Sequence, residues 1–448
     1  MFENKKIFIL GMARSGYHAA KVLAKRNNTI VLNDAKEDQD KEKVKELEDL
    51  GVKVILGSHP DDILDESFDY IIKNPGVHFD HKYLIYAEKH NIKVINEIEM
   101  AYHLLPKGVK IVGITGTNGK TTTTTLTYEI LKNALGNKVH LAGNIGYPLC
   151  EVLDEIKEND IIVMEIGVPQ LHDFYDFNAD IAVLTNIFEA HLDMFKTREY
   201  YNENKLRIFM NHTSDNIAII NKGNEDAFRI TQNIKSTKEY FSSKEKTDCY
   251  YKDNTIYYRE TPIINTNEIK LQGVHNYENI MAALMVAKHF NVSDEIIRNV
   301  VNNFKGVEHR IEFVRELNGI SFYNDSKATN VTSTQIALSA FNKPTILLLG
   351  GLDRGHSFKE LEPFMKNVKL VCSFGQTKDR IKDFCNEINI DCIVSETLKE
   401  ALDIAYKNAK EGDVILLSPA CASWDQYKSF EVRGQEFKEL VNILKADK

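Results

Sequence analysis

The stretch Gly113-Ile-Thr-Gly-Thr-Asn-Gly-Lys-Thr-Thr122 joins an apolar run, Val109–Thr115, to a segment free of glycine and proline, Lys120–Leu135. A strand, a glycine turn and a helix in that order aim backbone N–H groups at an anion beside the helix N-terminus. Gly116 and Gly119 permit the turn. Lys120 is expected to reach the β- and γ-phosphates of a bound nucleotide, and the Thr121 hydroxyl to reach Mg²⁺. The pattern G-x-x-x-x-G-K-[ST] is met except at its first glycine, where this chain has Ile114.

Toward the N-terminus, short apolar runs at Lys6–Leu10, Thr29–Leu32, Val52–Leu56 and Asp69–Ile72 alternate with helical segments such as Gly16–Arg26 and Asp38–Leu50. That alternation predicts a parallel sheet with crossover helices. The turn Gly11-Met-Ala-Arg-Ser-Gly16 departs from a dinucleotide fingerprint, which wants glycine where Ala13 stands. Asp34 falls where a ribose-binding acid would sit. A plain glycine turn and a nucleotide-diphosphate site both fit.

Toward the C-terminus, Glu165 ends the strand Ile161-Ile-Val-Met-Glu165, and His191 follows the strand Ile181–Thr185. Two such donors near one phosphate loop suit a metal ion. Cys249–Tyr258 reads as a hairpin around Asp253-Asn254, followed by a helix at Asn276–Phe290. A third block has strands at Ile320–Tyr323, Thr345–Leu349, Leu370–Phe374 and Val414–Leu417. His309-Arg310, Tyr323–Asn330, Gly350–Gly355 and Leu417–Ser423 lie at or beyond strand ends, the ligand-facing edge of such a sheet. The expected architecture is α/β in three domains: a Rossmann-like domain over 1–95, a central P-loop ATPase domain over 96–306, and a Rossmann-like domain over 307–448.

Composition bounds the function. At 448 residues, 43% hydrophobic and 27% charged, the chain reads as a soluble globular protein of two or three domains. A net charge of −9 argues against a nucleic-acid partner. No apolar run approaches the roughly 20 residues of a membrane span, and the N-terminal apolar stretch runs into a glycine turn without a cleavage site. Six cysteines without CxxC spacing suit a reducing cytoplasm.

Taken together, Thr115–Thr122, Lys73-Asn-Pro-Gly76, Gly143-Asn-Ile-Gly146, Gln272–Asn279, Asn324–Asn330 and Ser418–Gly434 resemble the Mur ligase and folylpolyglutamate synthetase superfamily over essentially the whole chain. They are most similar to its D-glutamate-adding branch. The resemblance implies a cytoplasmic, monomeric ligase that joins D-glutamate to UDP-N-acetylmuramoyl-L-alanine through an acyl phosphate in peptidoglycan precursor synthesis. ATP would be the co-substrate, with two Mg²⁺ ions. The first domain would bind the UDP moiety, the second ATP, and the third the amino acid.

Residue by residue, the resemblance assigns Gly116, Thr117, Asn118, Gly119, Lys120, Thr121, Thr122, Asn276, Asn279, Arg310 and Asp325 to ATP. It assigns Asp34, Gly76, Asn144 and Gln170 to the UDP-linked substrate, with Asp34 facing the uracil. Lys327, Thr329, Arg354, Ser423 and Phe430 fall to D-glutamate. Thr121, Glu165, His191 and Lys205 fall to metal, and Lys120, Glu165, His191 and Lys205 to catalysis. Lys205 lies in Tyr200-Tyr-Asn-Glu-Asn-Lys-Leu-Arg-Ile-Phe209, similar to a family stretch whose lysine is carbamylated. By composition alone it is a solvated helix lysine. As a carbamate it would offer a hard cation oxygen, and its amine would need a depressed pKa to react.

One segment departs. The family's Glu-x-Ser-Ser-Phe-Gln-Leu reads Glu165-Ile-Gly-Val-Pro-Gln-Leu171 here, so two hydroxyls are missing near the substrate. Two alternatives stay open: folylpolyglutamate synthetase within the superfamily, and, from another class, a nucleotide-dependent oxidoreductase, which leaves the phosphate loop unexplained.

Overall fold

Three sheets organise the chain in a computed structural model that describes residues 1–188, 195, 197–271 and 273–446. The first is parallel, with strands β1 (Lys6–Leu10), β2 (Thr29–Asp34), β3 (Lys53–Leu56), β4 (Tyr70–Lys73) and β5 (Lys93–Ile95) in the order β3-β2-β1-β4-β5. Order reverses at β1, which pairs with both β2 and β4. Loops diverge at such a reversal and leave a crevice at the carboxyl ends of the strands.

The second sheet has nine strands: β6 (Lys110–Thr115), β7 (Val139–Gly143), β8 (Ile161–Glu165), β9 (Ile181–Leu184), β10 (Ile217–Asn221), β11 (Thr237–Ser242), β12 (Cys249–Lys252), β13 (Thr255–Tyr258) and β14 (Thr261–Asn265). Their order is β14-β13-β12-β11-β10-β9-β6-β8-β7, antiparallel only along β12-β13-β14. The expected hairpin is β12-β13, with Cys249 opposite Tyr258. Ile111, Val112 and Ile114 on the central strand β6 are essentially inaccessible, as expected where both faces of a parallel sheet are covered.

The first two sheets, the helix Val274–His289 and most of the helix Asp294–Asn303 form one compact unit, Met1–Asn267 with Val274–Val301. One apolar core runs through it, from Ile7 and Ile9 of the first sheet to Ile162 and Met164 of the second.

The other unit comprises Glu268–Gly273 and Asn302–Lys448. Its sheet has β15 (Glu312–Leu317), β16 (Ile320–Asn324), β17 (Thr345–Gly350), β18 (Val368–Phe374), β19 (Cys392–Val394) and β20 (Val414–Leu417), in the order β15-β16-β20-β17-β18-β19. Only β15 runs antiparallel to its neighbour. Ile346 and Leu348 of β17 enter one apolar core and Leu347 and Leu349 the other, the period-two alternation of a strand with both faces covered. Burying each such side chain contributes about 2 kcal/mol.

Candidate active site

The phosphate loop leaves β6 and enters the helix Lys120–Leu135, with Gly119 as its N-cap at φ 78°. A Cβ on Gly116 would lie 1.9 Å from Thr185 Oγ1, and one on Gly119 would lie 2.2 Å from Asn279 Oδ1. Both positions therefore need glycine for space as well as conformation. Thr185 and Asn186, just past β9, clasp the loop: Thr185 Oγ1 donates to Asn118 O at 2.7 Å, and Asn118 N–H donates to Asn186 Oδ1 at 2.8 Å. Thr117 Oγ1 lies 3.0 Å from the Tyr201 hydroxyl. Lys120 Nζ donates to Gly116 O at 3.0 Å and Thr117 O at 2.9 Å, so the ammonium sits over the loop. Thr121 and Thr122 follow in the first helical turn, where unmatched N–H groups and the dipole favour an anion.

Asn276 and Asn279 lie on the helix Val274–His289. Both are buried, and Asn279 Oδ1 accepts from Thr123 Oγ1 at 3.2 Å.

Glu165 sits at the carboxyl end of β8, next to β6. Its Oε1 accepts from Asn144 Nδ2 at 2.8 Å. Its Oε2 is buried without a hydrogen-bond partner among the described residues. An ionised oxygen so placed is costly unless a cation or a donor meets it. Gln170 is buried, its Oε1 accepting from Gly167 N–H at 2.8 Å. In the departing segment, that backbone bond and the buried Val168 stand where hydroxyls were expected.

Lys205 occupies the helix Arg198–Leu206 and is only 1% exposed. Its Nζ donates to Gly116 O at 2.6 Å and Thr115 Oγ1 at 3.2 Å. Burial, reinforced by the neighbouring Lys120 charge and partly opposed by Glu165, pushes its pKa well below the ordinary lysine value. The solvated surface lysine that composition suggests is thereby overturned. His191 lies outside the described residues.

At the first sheet's edge, Asp34 binds the turn itself: Met12 N–H donates to Oδ2 at 2.7 Å and Lys36 N–H to Oδ1 at 2.8 Å. Ala13 adopts φ 29°, at the border of the region that the fingerprint's glycine would enter without strain. Gly76 N–H donates to Asn74 Oδ1 at 3.0 Å, and Asn74 Nδ2 donates to Ser15 Oγ at 2.8 Å. Lys73-Asn-Pro-Gly76 and Gly11–Gly16 are thus joined. Sequence reasoning missed Lys73 itself, whose buried ammonium lies 2.9 Å from the equally buried Asp173 carboxylate without hydrogen-bond geometry. Its position at a strand's carboxyl end was the available signal.

In the second unit, Asp325 is buried at the end of β16. Its Oδ2 accepts from Ser418 Oγ at 2.7 Å, and burial pushes its pKa up to about 7. Lys327 and Thr329 follow in the same loop, and Lys327 N–H donates to His309 O at 3.0 Å. Lys327 Nζ lies 5.8 Å from the centre of the Phe430 ring. The Arg354 guanidinium lies 4.8 Å from the ring of the exposed Trp424. Ser423 is buried, its Oγ without a hydrogen-bond partner among the described residues. Arg433 also went unnoticed: fully buried, it donates from Nε to Ser326 Oγ at 3.0 Å and from Nη2 to Cys421 O at 3.1 Å. Arg310 precedes β15 in this unit.

A phosphate loop between parallel strands, a buried acid on the adjacent strand and a buried lysine under the loop define a nucleotide-binding P-loop enzyme of the α/β class. Three family models match the chain in order: the Mur ligase MurD-like N-terminal domain over residues 5–96, the Mur ligase middle domain over 114–287, and the Mur ligase glutamate ligase domain over 309–421. A UDP-N-acetylmuramoylalanine–D-glutamate ligase of Bacillus cereus (strain G9842) is 42% identical over 446 residues, 99% of this chain and 98% of that one. Its counterpart in Bacillus anthracis (strain A0248) is 43% identical over the same shares. Among solved structures, the UDP-N-acetylmuramate-alanine ligase MurC of Thermotoga maritima superposes with a TM-score of 0.59 at 17% identity, covering 98% of this chain and 99% of that one. A pseudomurein peptide ligase type C of Methanothermus fervidus gives 0.56 at 19%, covering 99% and 100%. The two structures share the fold. The chain belongs to the Mur ligase family and is an ATP-dependent ligase.

Proposed function

We propose that the chain adds D-glutamate to UDP-N-acetylmuramoyl-L-alanine, with ATP converted to ADP and phosphate, in peptidoglycan precursor synthesis. The observation that carries this reading is the 43% identity, across 99% of the chain, to ligases bearing that name. A free carboxylate is a poor acyl donor. The substrate carboxylate therefore attacks the γ-phosphorus of ATP, giving an acyl phosphate and ADP. The amine of D-glutamate adds to the acyl carbon, loses a proton, and expels phosphate through a tetrahedral intermediate. Positioning and charge neutralisation do this work, with no protein nucleophile.

On this reading Gly116–Thr122 cradle the ATP phosphates, with Lys120 offsetting the charge that develops on the γ-phosphoryl oxygens. Asn276, Asn279, Arg310 and Asp325 bind the rest of the nucleotide. Asp34, Gly76, Asn144 and Gln170 hold the UDP-linked substrate. Lys327, Thr329, Arg354, Ser423 and Phe430 hold D-glutamate. The domains run 1–95, 96–306 and 307–448, and the enzyme works as a cytoplasmic monomer. No helix among the described residues is long and apolar enough to cross a membrane.

The proposed reading takes two Mg²⁺ ions. Glu165 Oε2, buried and without a hydrogen-bond partner among the described residues, is a hard oxygen donor suited to a cation. Thr121, Glu165, His191 and Lys205 would hold the ions, which neutralise phosphate charge when bound. Lys205 serves as a carbamate: its neutral amine adds to CO₂ and releases a proton, replacing a cation by an anion. Depression of its pKa by burial and Lys120 supports this chemistry, since only the unprotonated amine reacts.

The test is ADP release by the full chain with Mg-ATP and UDP-N-acetylmuramoyl-L-alanine, each amino acid supplied in turn. Rapid turnover is expected with D-glutamate alone. Equal turnover with L-glutamate, or with a folate in place of the UDP compound, refutes the reading.

A further inference from the structure

Away from the phosphate loop, an imidazole and two carboxylates converge: Glu99, His103 and Asp176, their donor atoms within 4.8 Å of one another. Glu99 lies on the helix Glu97–Tyr102 and His103 caps its C-terminus, so the two are four residues apart and share a face. Asp176 comes from the chain entering β9.

His103 Nε2 stands 3.6 Å from Glu99 Oε1 and 3.2 Å from Asp176 Oδ2. Donors about 2.0–2.1 Å from a tetrahedral Zn²⁺ are separated by roughly 3.3–3.4 Å. The two separations bracket that edge.

Glu99 is also held in place. Its Oε1 accepts from Asp176 N–H at 2.7 Å and its Oε2 from Phe177 N–H at 3.1 Å. These bonds orient the carboxylate as outer-shell partners do and leave lone pairs for an ion. With His103 neutral, the three side chains carry a net charge of −2. Lys93 Nζ, 3.8 Å from Asp176 Oδ2, offsets part of it. Asp176 is 52% exposed, which gives an ion an entry path. One nitrogen and two oxygens suit Zn²⁺, whereas Mg²⁺ requires near-octahedral oxygen.

We propose that Glu99, His103 and Asp176 form a zinc-class metal site, separate from the phosphate loop, that ties the helix Glu97–Tyr102 to the chain entering β9. The competing account is a plain ion pair of His103⁺ with the two carboxylates.

The test uses the full chain, stripped with chelator and then titrated calorimetrically with ZnCl₂ in excess Mg²⁺ without nucleotide. Cobalt substitution is followed in parallel by visible absorption. The wild type should take one Zn²⁺ and show tetrahedral cobalt bands. His103→Ala and Asp176→Ala should each weaken zinc by at least about 10-fold and lose the bands, whereas Glu165→Gln should keep both. Ligase activity in Mg²⁺ should stay unchanged in Asp176→Ala. The proposal falls if the wild type takes no zinc, if both variants bind it unchanged, or if Glu165→Gln abolishes it.

Discussion

Lys205 shows how little of a residue's chemistry composition carries. Its neighbours Tyr200–Phe209 read as an ordinary polar helix, yet the side chain is 1% exposed and its Nζ donates to the carbonyl of Gly116. Only the spacing shared with the family pointed to it, because burial is decided by what packs against the helix and not by the helix itself. An ammonium there is doubly disfavoured, by desolvation and by Lys120. On the proposed reading the stable form under turnover is the carbamate. Lys205→Ala should then lower kcat by at least about 100-fold in a folded protein. Acetate or formate should restore part of the rate by supplying the lost carboxylate, and removing CO₂ should slow the wild type. Full turnover of Lys205→Ala in CO₂-free buffer would leave the lysine a structural role only.

Among the elements, strands such as β8 were legible because an apolar run buried on both faces is written into the sequence, as at Ile161–Glu165, although β10, Ile217–Asn221, was not read despite similar burial. The helix Lys120–Leu135 was legible from its glycine turn and its freedom from breakers. The edge strand β3 was read as Val52–Leu56, but other edge elements were not. β15, Glu312–Leu317, has no fully buried position to impose a period, and β19 is three residues long. Nor did the sequence reveal Glu97, whose carboxylate accepts the N–H groups of Leu149 at 3.3 Å and Cys150 at 3.1 Å at the start of the short helix Leu149–Val152. Burial outweighs these bonds and raises its pKa from 4.5 to about 7. The fold thus favours the protonated carboxyl. That contribution is complete below pH 4.5 and disappears as pH rises through about 7. The loss is of the order of 3 kcal/mol. Glu97→Gln keeps an acceptor and cannot ionise, so its denaturation midpoint should change less than that of the wild type between pH 5 and pH 8. Parallel pH profiles for the two proteins would show that Glu97 is ionised throughout.

At the scale of the whole molecule, the path of the chain sets which functions can be separated. It fills one unit to Asn267, visits the other at Glu268–Gly273, returns for Val274–Val301, and only then completes the second unit. The return matters, because the helix Val274–His289 brings Asn276 and Asn279 to the phosphate loop, where Asn279 Oδ1 accepts from Thr123. A chain with net charge −9 offers anionic substrates no favourable global field. Affinity for nucleotide must therefore come from groups at the loop: backbone N–H donors, Lys120, and the cation that Glu165 is suited to hold. All of these belong to the first unit, whereas the residues proposed for D-glutamate belong to the second. A chain ending at Val301 should therefore bind Mg-ADP measurably by calorimetry, release no ADP in the ligase assay, and lose nucleotide binding on Lys120→Ala. The contrary outcome is that the shortened chain folds, as judged by a cooperative thermal transition, and still binds no nucleotide. The assignment of ATP binding to the first unit's loop would then be wrong.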